Sequence, residues 1–310
     1  MRFSLIPGIL FVILLVLPQT VRADSIKIEP AFIEVEMEST ESAKEFVFTI
    51  TNNSDKELSI DLSGIDFRQS DDPYGNVSFL GKEIKDYTYG LTSFISFTNN
   101  NLELKQQEKR EINVTIANRQ DLSPGGHYGA VIVRQRPGSS TDNTIVTPAL
   151  SSLVYLTKKG GERYNLSFKD VDFPKIPIVF AHPSTYFILL QNDGNVHLTP
   201  YGRADITDIF GRLIYKGIIN ENSLKVLPQS RKYIPVYSKK VSTPVPISIN
   251  KISIQGRDSL DKTKFSYQDY FLYINPVFGT GVIIGLIILV LIWLKKRKTK
   301  NLKLKTTVKN

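Results

Sequence analysis

The chain has 310 residues and contains no cysteine, only two methionines and a single tryptophan. The lack of cysteine excludes a disulfide framework, a thiolate nucleophile, a cysteine-ligated zinc site, an iron–sulfur cluster and a lipid-modified cysteine anchor. The redox and metal chemistry that depends on cysteine is therefore excluded.

Residues that commonly carry catalysis are also scarce. The three histidines, His127, His182 and His197, have no partner residue at the spacing of a metal site or a catalytic triad. We expect them to form local hydrogen bonds in turns and at strand ends. No G-x-S-x-G motif occurs, and the oxygen-rich stretch Asp71–Asn76 lacks the alternation and distal glutamate of an EF-hand loop. The sequence predicts a protein that is not an enzyme and needs no metal or other cofactor.

The basic excess of the chain lies at its two ends. The net charge is +9, but the last sixteen residues hold eight Lys/Arg and no Asp/Glu, and Arg2 and Arg22 lie near the start. The segment from Asp24 to Leu294 then has 29 basic against 30 acidic residues. Because the main body is close to neutral, the charge indicates membrane topology rather than a nucleic-acid partner.

The N-terminus has the features of a secretory signal peptide. Arg2 precedes an apolar run over Leu5–Leu17, and Val21 and Ala23 are small residues at the −3 and −1 positions of a cleavage site. We therefore expect residues 1–23 to be removed and the mature chain to begin at Asp24. An uncleaved anchor is the alternative, although the run is short for a membrane span.

The C-terminal region predicts one transmembrane helix over Val277–Leu294, eighteen residues without charge that cover about 27 Å as a helix. The flanking residues are typical of a span: Tyr270, Phe271 and Tyr273 at the outer edge, Trp293 at the inner edge, and Lys295–Lys298 as a stop-transfer signal. We expect an extracellular N-terminal ectodomain at the cell membrane and a basic cytoplasmic tail, residues 295–310. Gly281 and Gly285 form a GxxxG spacing that permits a helix dimer.

The ectodomain has the alternating pattern of half-buried antiparallel strands. Segments with this pattern or with short strand-like runs include 46–51, 58–63, 112–116, 186–190, 196–198, 203–206, 212–215, 233–237 and 247–254. The run Tyr128–Val133 is apolar at nearly every position, as in a central strand. Lys158–Glu162 interrupts the pattern, and at about 100 to 150 residues per domain the length predicts two. We predict an all-β protein with two tandem immunoglobulin-like β-sandwiches, 24–159 and 160–270, with one large β-barrel as the alternative.

The two halves resemble each other as a weak internal repeat. The strand ending at Asn52 runs into an Asn-rich turn, as does the strand ending at Asn192. Later in each half a polar turn, containing Gln107 or Gln229, leads into a further strand. This succession is typical of the early strands of an immunoglobulin-like sandwich.

An aromatic-rich insertion lies between Asp66 and Asn101. Aromatic side chains on such a loop can stack on a carbohydrate or protein ligand, and we name four candidate contact residues: Tyr74, Phe79, Tyr87 and Tyr89. The alternative is that aromatic residues of the insertion close the end of the sandwich core. We expect that structural role for Phe94 and Phe97.

Six segments stand out as turn-and-strand motifs: Glu45–Asn52, Gly75–Val77, Leu102–Leu104 with Arg110–Val114, Leu122–Ile132, Gln191–His197 and Val226–Pro228. The first four resemble the peptidoglycan-binding domain of the WxL-interacting cell-surface proteins of Gram-positive bacteria. The last two are similar to motifs of the domain that follows it in that family. The order of signal peptide, two immunoglobulin-like domains, membrane helix and basic tail also agrees. The resemblance implies attachment at the cell wall and binding to peptidoglycan or to a surface protein that carries a Trp-x-Leu motif.

These features predict a membrane-anchored cell-surface binding protein. Its two rigid modules would bind cell-wall peptidoglycan, a WxL-type surface protein, or both. The alternative is an assembly chaperone that donates a strand edge to secreted clients, as suggested by the apolar stretch Leu122–Arg136.

Overall fold

The computed structural model describes residues 26–81, 87–136, 149–173 and 178–307, with side chains as far as Arg297. The predicted signal peptide and Asp24 lie outside the described residues, as do residues 308–310 of the predicted tail. The described residues are mostly β-strands followed by one long helix, as the sequence predicts.

The described part of the first unit contains ten strands, and a 3₁₀ turn at Thr92–Phe94 precedes the sixth. The strands are β1 Ile26–Glu29, β2 Phe32–Met37, β3 Ala43–Asn52, β4 Leu58–Gln69, β5 Val77–Phe79, β6 Ile95–Phe97, β7 Asn101–Leu104, β8 Lys109–Ala117, β9 Gly125–Gln135 and β10 Ala149–Lys158.

The first unit has the strand order of an immunoglobulin-like sandwich. One sheet runs β1-β3-β8-β6 and the other runs β2-β10-β9-β4, with β5 and β7 paired along β4. These are the A-B-E-D and G-F-C orders of that fold. The core between the sheets is formed by the inward positions of each strand, such as Phe48 and Ile50 of β3 and Ile60 of β4, all fully buried. Phe94 and Phe97 pack into this core, which confirms their structural role.

In the second unit, the residues that the structure describes form eight strands. They are β11 Leu166–Asp172, β12 Ile178–Val179, β13 Thr185–Asn192, β14 Pro200–Asp208, β15 Leu213–Ile219, β16 Ser230–Lys240, β17 Ile247–Asp258 and β18 Lys264–Ile274. Their order is β11-β13-β16-β15-β14-β17-β18-β12, which is A-B-E-D followed by C-F-G. The β14–β15 hairpin joins the two halves, so one continuous sheet surrounds a second core.

The structure confirms the internal repeat in atomic detail. The buried Asn52 amide donates to the carbonyls of Lys56 and Leu104 at 2.7 and 3.1 Å, while its oxygen accepts from Ser54 N at 2.9 Å. Asn192 does the same in the second unit, donating to Val196 and Val226 and accepting from Gly194.

The polar turns of the two units are also equivalent. Gln107 and Gln229 both adopt positive φ, 58° and 52°. Each side chain donates two hydrogen bonds to carbonyls of the asparagine turn in its own unit, at 2.9 to 3.0 Å. The two sequences therefore build the same pair of interlocked turns.

One predicted strand is wrong. Val196–Leu198 forms no strand, and Leu198 makes only an isolated bridge to Val226. The reason is local, because Asn192 holds the Val196 carbonyl with its side chain and keeps this segment in the turn. The side-chain bond competes with a sheet ladder.

The helix α1, Pro276–Thr307, follows β18 after one residue. Asn275 begins it by accepting hydrogen bonds from the amides of Val277 and Phe278, and its own amide donates to Pro246 O at 2.7 Å. The 22 residues Pro276–Arg297 are long and apolar enough to cross a membrane.

The prediction that Tyr270, Phe271 and Tyr273 lie at the outer edge of the membrane span is wrong for two of these residues. Phe271 and Tyr273 are only 6% exposed and lie in the second core, whereas Tyr270 is exposed. They belong to β18, where inward positions alternate with outward ones, so the sheet buries them before the helix begins.

Candidate functional site at the junction of the two units

The two units meet along the outer face of the β4-β9-β10 sheet. Phe67, Tyr128 and Tyr155 project from these strands and form an apolar cluster that includes Leu227 of the second unit. The run Tyr128–Val133 is apolar throughout because its alternate residues face the core and this junction.

Tyr74, a predicted contact residue, lies in this junction. Its ring stacks on Tyr233 with centroids 4.1 Å apart, and its hydroxyl donates to Asp172 at 2.8 Å. The hydrogen bond to this carboxylate raises the pKa of Tyr74 to about 12. Half of the side chain remains exposed. Because its ring also contacts Phe187 edge-on at 5.3 Å, Tyr74 connects the first unit to three strands of the second, β11, β13 and β16.

The other three predicted residues separate into two groups. Phe79 is 44% exposed and packs edge-on against Phe67, with centroids 6.5 Å apart, in the short strand β5. Tyr87 and Tyr89 contact each other edge-on at 5.8 Å and line a cavity between the units. Burial raises the pKa of Tyr87 well above the ordinary value.

This cavity, which we call the arginine cleft, has a volume of about 580 Å³. The first unit contributes Arg68, Tyr87 and Tyr89, and the second contributes Gln191, Gln229 and Arg231. With Gln69 and Asp71, which also line it, its walls combine two guanidinium groups, two aromatic rings, three glutamine amides and one carboxylate.

The two arginines of the cleft differ in how their charge is balanced. Arg68 forms a bidentate pair with Asp71, at 2.6 and 2.7 Å. Arg231 donates only from Nε, to the Gln191 amide oxygen at 2.9 Å, and forms no ion pair within residues 26–81, 87–136, 149–173 and 178–307. The second guanidinium is therefore available to an anionic group.

A second cavity, the lysine pocket, has a volume of about 350 Å³. Its walls are mostly apolar and come from both units; they include Phe32, Val77, Leu153, Tyr155, Leu224 and Leu227. Two amino groups, those of Lys225 and Lys232, complete the lining.

Lys232 is the unusual member of this pocket, because it is only 4% exposed. Its ammonium donates to Gly75 O at 2.9 Å and to Asn76 Oδ1 at 3.3 Å, and no carboxylate among the described residues pairs with it. Burial lowers the pKa of Lys232 below its ordinary value. An ammonium buried without a counter-ion is unfavourable, so the site suits an anionic ligand group.

Gln69 connects the two cavities. It is 5% exposed and lines both of them. Its amide nitrogen donates to the carbonyls of Gly75 and Asn76, whereas its oxygen is buried and has no hydrogen-bond partner in the described structure. A ligand donor reaching this oxygen would satisfy it.

Lys225, in contrast, belongs to a charge cluster. It lies 2.5 Å from Glu34 of β2, and the ring of His197 lies 3.5 Å from the same carboxylate. Hydrogen bonds from His197 and Lys225 lower the pKa of Glu34 to about 2. The three residues fasten β2 to the second unit.

The expectation of local hydrogen bonds is wrong for two of the three histidines: His182 has no hydrogen-bond partner among the described residues, and His197 contacts Glu34 of the distant strand β2. The ring nitrogens of His127 lie 3.1 and 2.8 Å from the carbonyls of Gly90 and Ser123, and His182 packs among aromatic rings, where burial lowers its pKa to about 4. Asp71 pairs with Arg68, and Asp72 closes the following turn. Across the described ranges no group of three His, Cys, Asp or Glu residues is arranged to hold a metal ion.

Lys232, Gln69 and Arg231 are the site residues that sequence reasoning missed. The sequence does contain a signal for Lys232. Buried and exposed residues alternate along β16, and Lys232 falls at a buried position of this alternation together with Ile234 and Val236. A lysine in phase with buried residues is a candidate buried cation. No equivalent signal marks Arg231, which lies on the outward phase.

Comparisons with known protein families and with characterised proteins find no match. Solved structures of similar arrangement include the class 5 fimbriae chaperone CfaA, 10% identical over 79% of this chain and 98% of that chain, with a TM-score of 0.42. A chain of the Salmonella enterica SafA pilin–SafB chaperone complex is 9% identical, covering 78% and 95%, at 0.39. The E. coli chaperone DraB is 8% identical, covering 78% and 97%, at 0.39. Similarity at this level says nothing about function.

Proposed function

We propose that this protein is a membrane-tethered, non-enzymatic binding protein that holds a segment of a partner polypeptide at the junction of its two units. The observation that carries the proposal is the buried Lys232 ammonium, which faces the lysine pocket without a counter-ion. A carboxylate entering this pocket would gain a charge-assisted hydrogen bond in a weakly hydrated site.

The lysine pocket selects the chemistry of the bound group. An ammonium has three donors, and two of those of Lys232 are directed at Gly75 and Asn76, which leaves one for a ligand. The surrounding Phe32, Leu153 and Leu227 favour an apolar side chain beside the carboxylate. A volume of about 350 Å³ is within the range of about 300 to 1,000 Å³ that ligand pockets occupy.

The arginine cleft extends the binding surface for a longer ligand. Gln69 lines both cavities, and its unpartnered oxygen is suited to a backbone N–H. Gln191, Gln229 and Arg231 offer further donors and acceptors along the cleft. A row of polar groups with one apolar pocket fits an extended polypeptide better than a compact metabolite.

The helix supports a placement for this binding surface. With α1 across a membrane and its basic C-terminal residues in the cytoplasm, the two β-units lie outside the cell. The resemblance to the WxL-interacting family would make the partner a surface protein with a Trp-x-Leu motif.

Strand-edge donation to a client requires a strand with an unpaired edge. The stretch Leu122–Arg136 contains β9, which lies between β10 and β4 and has no free edge. On the other side of β10, the pairing with β2 covers only Leu153–Lys158 among the described residues. Ala149–Ser152 of β10 is therefore an edge at which a client strand would add.

Peptidoglycan is the second candidate ligand. Tyr87 and Tyr89 line the arginine cleft side by side, and aromatic faces beside polar groups suit a glycan. A glycan would depend on these rings and not on Lys232.

The test is selection of displayed random peptides on the full chain in lipid nanodiscs. We expect enriched peptides to place an acidic group next to a large apolar residue, and Lys232→Met to abolish their binding. Lys169→Met, at an exposed position of the same unit, is the matched control and leaves binding unchanged. Selected peptides that bind equally well to Lys232→Met would refute the proposal.

A parallel measurement separates the second candidate. Retention on insoluble peptidoglycan that is lost in Tyr87→Ala but kept in Lys232→Met would identify a glycan site. We expect Lys232→Met to fold, because Gly75 O keeps its bond from Gln69 at 3.1 Å and Asn76 is exposed to water. Its unfolding free energy should stay within about 1 kcal/mol of the original chain, since loss of the buried charge offsets the lost bonds.

A further inference from the structure

The turn between β14 and β15 presents two large apolar residues to solvent. Ile209 is 64% exposed and Phe210 is 82% exposed, the most exposed aromatic residue of the two β-units. The central positions of a tight turn usually hold polar residues, glycine or proline. Two large apolar side chains at this point are therefore unexpected for a surface that faces only water.

The turn is well defined. The buried carboxylate of Asp208 accepts hydrogen bonds from the amides of Phe210 and Arg212 at 3.0 and 2.9 Å. Gly211 follows at a φ of 77°, a conformation that favours glycine, and its amide donates to Asp208 O. Ile209 and Phe210 are thus held at the tip of a closed hairpin.

The strand register places this tip at the end of the unit from which the helix leaves. Asp208 is opposite Asn250 of β17, and Asn250 is opposite Phe271 of β18. The pair Ile247 and Ile274, at the same end, lies just before Asn275 and the start of α1. The Asn275 amide also donates to Pro246 O, which ties the first helical residues to this end of the sheet.

Other exposed groups at this end share the same character. Val241, Val245, Ile247 and Ile249 are between 37% and 56% exposed. Lys239 and Lys240 are exposed on the last residues of β16, where Lys240 is opposite Tyr215 of β15. The surface is therefore apolar at its tip and basic at its side.

We propose that the β14–β15 tip enters the outer leaflet of the membrane that α1 spans, so that the ectodomain has a second membrane contact. Ile209 and Phe210 bury their side chains among the lipids, and Lys239 and Lys240 contact anionic headgroups. This inference rests on the membrane placement given under the proposed function, but not on the ligand of the junction.

The distances along the sheet fit this arrangement. By the strand register, the tip is about level with Leu272, which lies three residues before Asn275. The tip is therefore about 10 Å from the level at which the helix begins, because three residues of strand span that distance. The polar layer on each side of a bilayer is about 5 to 8 Å thick. A tilt of the unit by an amount similar to the usual tilt of membrane helices brings the tip into that layer.

The absence of cysteine from the chain allows a direct test with single labels. Ile209→Cys, labelled with an environment-sensitive fluorophore, reports the tip in the full chain reconstituted into nanodiscs with one copy each. Lys262→Cys is the matched control, because it lies exposed in the β17–β18 turn at the opposite end of the sheet. Nitroxides attached near the lipid headgroups serve as quenchers.

We expect quenching at position 209 to be severalfold stronger than at position 262, and stronger in discs containing phosphatidylglycerol than in pure phosphatidylcholine. Adding Phe210→Ser should reduce quenching at 209 to the control level, and Lys239→Gln with Lys240→Gln should remove the preference for anionic lipid. Equal quenching at 209 and 262 would overturn the proposal. Protection of the label only in discs that hold two copies would also overturn it, in favour of self-association.

Flotation of the same protein with the discs separates this result from the membrane placement itself. A chain that fails to float with lipid contradicts the anchor. A chain that floats but shows no quenching at position 209 contradicts only the second contact.

Discussion

Asn192→Ala should destabilise the second unit by about 3 kcal/mol. The fully buried side chain donates to Val196 O at 2.7 Å and to Val226 O at 2.9 Å, and it accepts from Gly194 N at 2.9 Å. After truncation, Val226 O still accepts from Leu198 N. The Val196 carbonyl and the buried Gly194 amide lose their partners, and each such group costs about 1 to 3 kcal/mol.

The assay is pulse proteolysis of the full chain in nanodiscs across a urea series, with the fragment pattern reporting which unit opens. Asn192→Asp should destabilise the unit at least as much as Asn192→Ala, because it keeps the acceptor for Gly194 but places a buried carboxylate oxygen against the carbonyls of Val196 and Val226. The control is Asn222→Ala in the same unit, where an exposed amide donates to Tyr237 at 3.2 Å and the expected change is under about 0.5 kcal/mol. If Asn192→Ala matches that control, the interlocked turn does not stabilise the unit.

Three further predictions follow from the packing and the charges. Phe271→Ala should lower the unfolding free energy by about 3 to 5 kcal/mol, because the ring is in the second core, whereas Tyr270→Ala should change it by less than about 0.5 kcal/mol; equal effects would contradict the burial. Because the pKa of Glu34 is lowered from 4.5 to about 2, its contribution to stability is present above pH 4.5 and is lost as the pH falls towards 2. The stability difference between the chain and Glu34→Gln should therefore shrink over that interval, and a constant difference would argue against the link. Tyr233→Ala should increase hydrogen exchange at the junction without lowering the stability of either core, since it removes the stack on Tyr74; unchanged exchange at the junction would show that this stack does not hold the units together.

The periodic elements of the fold could be predicted from the sequence. Alternation identified β3, β4, β8 and β17, because a strand with one buried face must alternate. The helix was evident from its uncharged length. The equivalence of the Asn52 and Asn192 turns was also visible, because turns of this kind are formed by local hydrogen bonds.

The location of the junction was not predictable in the same way. The loop pattern marks Tyr74, Phe79, Tyr87 and Tyr89 as candidate contacts, but whether a ring contacts a ligand or a neighbouring unit depends on residues about 100 or more positions away. Tyr74 stacks on Tyr233, whereas Tyr87 and Tyr89 line the arginine cleft. The loop sequence contains no information about Tyr233.

The sequence by itself determined the local features of this protein: the strands, the paired turns, the helix and the lack of cysteine chemistry. Only the tertiary structure decided which faces are covered. Phe271 and Tyr273 face the core rather than the membrane, Lys232 is buried at the junction, and Phe210 is exposed at the end near the helix. The physical reason is that hydrogen bonding and alternation act between near neighbours, whereas burial depends on elements brought together from distant parts of the chain.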